Sequence, residues 1–160
     1  MRLNHMPLIV FSGIVWLLVG FSLLIKGLNF LVLSAQFPVS GSFSLIEKVS
    51  PLAGGREQGS LVLIVLGLMI GFFKGRYVLS KTVGRVVSRI RSQAAPLKLS
   101  KVYSPGYIAV LLLMGLMGMA MKWLNVPQEV RGLIDVAIGS ALINGALLYF
   151  RMARTFAPAA

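Results

Sequence analysis

Apolar residues run without a charge from Met6 to Ile25 and again from Val102 to Met121, 20 positions in each case. At a rise of ~1.5 Å per residue, such a run crosses the ~30 Å hydrocarbon core of a bilayer. Both predict transmembrane helices, the first too long for the apolar part of a signal peptide and so read as retained. Two shorter uncharged runs, Gly59 to Phe73 and Val136 to Phe150, hold 15 residues each. They reach spanning length as Ser60 to Leu79 and Val130 to Phe150 if Lys74 and Arg76 snorkel or face protein and Arg131 and Asp135 sit near an interface. The pattern therefore predicts an all-α, polytopic membrane protein: a single membrane domain over residues 1–160 with four transmembrane helices. Between the first two helices, the stretch FPVSGSFSLIEKVSPLAGGREQG predicts a short interfacial helix at Phe43 to Val49, flanked by turn-forming Ser, Pro and Gly.

Composition strengthens this picture. The chain is 57% hydrophobic and 12% charged, outside the range of a soluble domain of its size, and its net charge is +12. An even number of spans places the N-terminus, the basic connection at 80–104 and the C-terminus on one side. That side carries eleven Lys and Arg residues and no acid, whereas the other carries five with Glu47, Glu57 and Glu129. Retention of positive charge in the cytoplasm predicts a plasma (inner) membrane protein with both termini cytoplasmic.

Much of that charge lies in KGRYVLSKTVGRVVSRIR, residues 74–91, which predicts helix 2 extended into the cytoplasm. Lys81, Arg85 and Arg89 fall on one face, with Arg91 close behind, and Leu79, Val83, Val86 and Ile90 fall on the opposite face. Such an amphipathic basic helix docks on anionic membrane lipids or on an acidic protein partner. Nucleic acid is not expected as a partner, because the segment carries no binding motif and its one aromatic, Tyr77, is at membrane depth.

Sliding the chain over itself by 96 residues sets LIKGLNF on AMKWLNV, so that helices 1 and 3 both end in K-x-L-N. A slide of 70 residues sets Gly67, Gly71 and Gly75 on Ala137, Ala141 and Gly145, and Lys74 on Asn144. The two offsets suggest two parallel-repeat hairpins, about 7–92 and about 103–154, related by an axis along the membrane normal. Small residues four apart let helices approach closely, so helices 2 and 4 are expected to pack, either as the monomer core or between copies in a homo-oligomer.

The polar groups near the spans set the candidate chemistry. A lysine at the depth of Lys74 has to snorkel, pair or line a wet cavity, while Arg76 points to a different face. Asn144 reads as an interhelical hydrogen-bonding residue or a polar point on a solute path. Asp135, four residues after Arg131 at the start of helix 4, is stabilised by that arginine and by the helix dipole; proton or cation coupling is the alternative. Lys26, Lys122 and Trp123 read as interfacial anchors and Trp16 as a packing residue. With no cysteine, a single histidine in the N-terminal tail and no nucleophile–base or metal-ligand cluster, the sequence points away from an enzyme and calls for no cofactor or metal. Two classes remain. One is a small oligomeric transport or channel protein for an anionic solute or lipid headgroup, with Lys74, Asn144, Arg76 and Asp135 as pathway or anion-binding residues. The other is a noncatalytic accessory subunit that binds anionic lipid or an acidic partner.

Overall fold

A computed structural model describes residues 5–37, 44–91 and 116–155, and among these the chain is helical apart from short turns, with no strand. Three of the described helices are long and apolar enough to cross a membrane. The sequence's third run, Val102 to Met121, lies outside the described residues as far as 115; residues 116–123 are helical.

The first helix, α1, is His5–Gln36, 32 residues. It carries on past Lys26 and Asn29 because nothing in LIKGLNFLVLSAQ breaks a helix until Phe37, which precedes Pro38. The K-x-L-N pattern therefore does not end this helix. In its second occurrence it does: the turn after 116–123 contains Asn125 at φ 50, a left-handed conformation that asparagine tolerates, with Pro127 two residues on. The same four letters have different outcomes because only the second is followed by a residue unable to continue a helix.

The outer connection folds into α2, Leu45–Ala53, shifted toward the C-terminus from the expected Phe43 to Val49. Ser44 caps it by accepting from the Glu47 amide, and Gly54 at φ 91 closes it. Next come α3, Arg56–Lys74, a π-helical turn at Gly75–Leu79, and α4, Ser80–Arg91, in one unbroken run. Along it Gly59, Leu63, Gly67, Gly71, Gly75, Val83 and Val87 are buried and Leu79 is half-buried, all on a four-residue spacing. A four-residue stripe drifts by ~40° per step on a regular 3.6-residue helix. The wider π turn takes up part of that drift and keeps the α4 valines on the protein side.

The last helix, α5, is Gln128–Arg154. It runs antiparallel to α1, with Gly13 against Tyr149 and Gly27 against Gly132, and parallel to α3. Contact between α1 and α5 is the most extensive in the molecule. At its centre a Cβ on Gly20 would sit 2.9 Å from the Gly139 carbonyl oxygen, and one on Gly139 would sit 2.7 Å from that of Gly20. Bare backbones touch there, the close approach that small residues permit where lipid supplies no hydrophobic drive. Gly67, Gly71 and Gly75 meet α5 as well, but one turn out of the repeat register: Gly71 packs on Ala137 and Gly75 on Ala141, while Gly145 faces Trp16 of α1. These stripes are filled within one chain, which removes the argument for an oligomer built on them.

Two apolar clusters close the ends of the bundle. Around the chain termini, Leu8, Ile9, Trp16, Val83, Val87, Leu142, Tyr149 and Ala153 pack together; near α2, Leu31, Ile46, Leu63 and Val136 do so. The apolar face of α4 is thus spent on α1 and α5 rather than being free to lie in a membrane surface. Outward, Phe11, Leu18 and Phe21 of α1 and Leu61, Val65, Met69 and Phe73 of α3 are exposed, a surface suited to lipid.

Candidate functional site

The close approach of α3 and α5 sets the geometry of the first cavity. Gly71 lies directly on the Ala137 carbonyl, and a Cβ on Gly75 would stand 2.9 Å from the Cβ of Asn144. Ser140 bridges the seam, its hydroxyl donating to the Leu68 carbonyl at 3.4 Å. Asn144 does not bridge the helices: its Nδ2 donates to the Ser140 carbonyl of its own helix at 3.0 Å. Beyond this seam, toward the chain termini, the two helices flank a half-open cavity of about 520 Å³. Arg76 comes from the π turn; Asn144, Arg151 and Arg154 come from the second half of α5; Phe72 and Leu147 are among the apolar walls. Arg76, Arg151, Arg154 and Asn144 line one space, with no acid among the described residues of its lining. Arginine forks suit the oxygens of phosphate and carboxylate, and the apolar wall suits a hydrocarbon tail.

Lys74 is not part of that arrangement. It lines a second cavity of about 400 Å³ with Ile70, Val78, Ala137 and Ala141, so Lys74 and Asn144 face different spaces although they match in the repeat. Asp135 lies further toward α2, buried, with Oδ2 3.4 Å from Lys26 Nζ. Its ion pair is to Lys26 of α1, whereas the sequence argued for Arg131. Both Lys26 and Arg131 lie over the Phe30 ring, at 5.5 and 5.2 Å. Lys26, Lys122, Arg131 and Asp135 line a third cavity of about 350 Å³, which shares Ile138 with the second.

On α4, Lys81 and Arg85 are exposed on the face opposite Val83 and Val87. Arg89 and Arg91 continue the same helix, and their side chains lie outside the described residues.

Sequence reasoning missed the role of Glu129. It is buried, its Oε1 accepts from the Ser44 hydroxyl at 2.7 Å and its Oε2 from the Ile46 amide at 3.0 Å. An acid at the head of α5 thus caps the first turn of α2, more than 80 residues away in sequence. Arg56 plays the converse part, donating to the Ser34 and Ala35 carbonyls at the end of α1 and pairing with Glu47 at 3.2 Å. The signal available was S-x-x-E at Ser44 to Glu47, a capping box that marks a helix start and so a place where a distant carboxylate finds free amides. No family model matches the chain, and comparison with curated proteins and with solved structures found no similar sequence or fold.

Proposed function

We propose that this is a small transport protein of the plasma (inner) membrane that takes up an anionic headgroup or solute on its cytoplasmic side, through the cavity of Arg76, Asn144, Arg151 and Arg154. That cavity is the observation that carries the reading: its described lining combines three cations and an apolar wall, without an acid, at one end of a membrane helix pair. Four crossings and cytoplasmic termini belong to the same proposal. They are supported by the parallel course of α3 and α5, since the chain leaving α4 at one end has to return to the other end before α5 begins, and by the eleven cations on the terminal side.

A second reading, a noncatalytic accessory subunit, draws on α4. Its valines are engaged inside the protein, while Lys81 and Arg85 face outward, a disposition that suits an acidic partner or anionic headgroups. The two readings part on flux. Reconstituted into vesicles, the full chain should move a fluorescent anionic lipid or a phosphate-type anion between leaflets or compartments, and Arg151→Gln with Arg154→Gln should reduce that rate about tenfold or more at unchanged protein content. Binding without any movement would favour the accessory reading, and no binding at all would remove both.

A further inference from the structure

We infer that the third cavity, at the α2 end of the bundle, is a second binding site for a phosphate-type anion, in which the Asp135 carboxylate engages Lys26 in place of the ligand. This goes beyond the cytoplasmic reading and does not depend on it. Lys26, Lys122 and Arg131 converge on a space that contains one carboxylate, so the lining holds an excess of positive charge with Asp135 counted. Asp135 is 6% exposed, yet its 3.4 Å contact to Lys26 is longer than a tight charge-assisted hydrogen bond of roughly 2.8 Å, and the Lys26 side chain remains 47% exposed. The lysine is held by the carboxylate but not used up by it.

The Phe30 ring attracts both Lys26 and Arg131 without neutralising them, because the attraction to an aromatic face leaves the cation's full charge in place. An anion entering the cavity meets two cations that have no acidic partner among the described residues, Lys122 and Arg131, and competes with Asp135 for the third. Asp135 therefore acts as an internal substitute for the ligand, occupying Lys26 until an external anion displaces it.

Placement supports the same conclusion. Arg131 and Arg151 are 20 residues apart on one helix, ~30 Å along its axis, the thickness of a bilayer core. Arg131 and Arg151, one in the lining of each basic cavity, are thus spaced as the two headgroup layers of a bilayer are. Leu23, Met121 and Ile138 give the third cavity an apolar floor, and Ile138 also borders the apolar cavity next to it, space that an acyl chain would fill. The ligand class is a phosphate group, free or carried on a lipid.

The test uses the full chain in a neutral detergent and counts bound dihexanoyl phosphatidate by native mass spectrometry, with the phosphatidylcholine of the same chain length as control. Wild type should bind two anionic lipids over the control, and Lys122→Gln with Arg131→Gln should bind one. Arg151→Gln with Arg154→Gln should also bind one, at the α2 end. In that last background, Asp135→Asn should tighten the remaining site about tenfold, since the internal competitor is lost. A purely structural ion pair gives no tightening. If the Lys122/Arg131 variant still binds two lipids, or Asp135→Asn weakens the remaining site, the inference is overturned while the cytoplasmic reading stands. If Arg151/Arg154 substitution leaves two lipids bound and Lys122/Arg131 substitution removes one, the cytoplasmic reading fails and this one stands. Inorganic phosphate that displaces the lipid from the α2-end site supports a soluble anion as the source, and resistance to phosphate supports a lipid.

Discussion

The two ends of the bundle both carry basic side chains and use them in opposite ways. Near α2, charges are committed to holding the protein together: Glu129 caps α2, Arg56 caps α1 and pairs with Glu47, and Asp135 pairs with Lys26. At the other end, Arg76, Arg151 and Arg154 share a cavity with no acid among the described residues of its lining, and Lys81 and Arg85 face outward. A charge spent on an orphan backbone group stabilises the fold and has little left for a ligand. Guanidinium groups held side by side without a counterion contribute nothing to the fold by that arrangement and repel one another. The first end reads as architecture with one basic cavity opening into it, the second as cations left without acidic partners among the described residues.

Both ends hang on the α1–α5 contact, so the largest effect is expected at its waist. Gly139→Leu would drive a side chain into the Gly20 carbonyl and the Leu24 backbone, neither of which has a rotamer to yield. Overpacking costs roughly 1–3 kcal/mol even where side chains can shift, and more is expected against backbone. Size-exclusion of the detergent-solubilised variant should show loss of the monodisperse peak; a normal peak with an unchanged melting temperature would mean the two backbones are further apart than described.

Glu129→Ala comes next and separates the ends. It leaves the Ile46 amide and Ser44 hydroxyl without their acceptor, at a cost of about 1–3 kcal/mol. The loss is expected to be local. Hydrogen exchange at Ile46 and Glu47 should accelerate while the amides of α5 beyond Ser140 keep their protection and anion binding at the terminal end is unchanged. Equal acceleration at both ends would show that the molecule does not divide in this way.

How much of this the sequence disclosed follows the same division. Helix existence, the amphipathic character of α4 and the cations of the terminal end are legible because they are local: periodicity and charge counts need no knowledge of what lies opposite. The partner of Asp135 was not, since Arg131 is four residues away on the same helix while Lys26 is brought in by antiparallel packing of α1. That packing itself left a trace, for Gly13, Gly20 and Gly27 recur every seven residues, as do Gly132, Gly139 and Ala146. The four-residue stripes are the plainer pattern in the sequence and serve the lesser seam, that of α3 with α5. The capping role of Glu129 is not legible, because nothing in its sequence neighbourhood shows that the first turn of α2 folds back onto it.

Arg151→Gln with Arg154→Gln should hardly change stability, within about 0.5 kcal/mol, because neither side chain has an acidic partner among the described residues. It would sharpen the contrast with Glu129→Ala: a small shift in melting temperature accompanied by about a tenfold loss of anion affinity. A shift as large as that from Glu129→Ala would make these arginines structural and leave the two ends alike.

The smallest effect on the fold is expected from Lys81→Gln with Arg85→Gln. Both side chains are exposed and the helix is held from the other side by Val83 and Val87, so melting should be indistinguishable from wild type. What should change is attraction to a charged surface, where each cation contributes roughly 1 kcal/mol and the effect fades with salt over a Debye length of about 10 Å at 0.1 M. A peptide of α4 alone is a poor test, because its valines would then be free to enter the lipid. In the full chain they are covered, so the cations act without an apolar anchor. Nanodiscs of the intact protein should therefore bind added anionic vesicles weakly at low salt, lose most of that binding in the double variant, and lose it for wild type at high salt. Binding that survives both the substitutions and the salt would place the attraction elsewhere, in the arginine cavity beside α4, and would make that cavity the sole anion-seeking feature of its end.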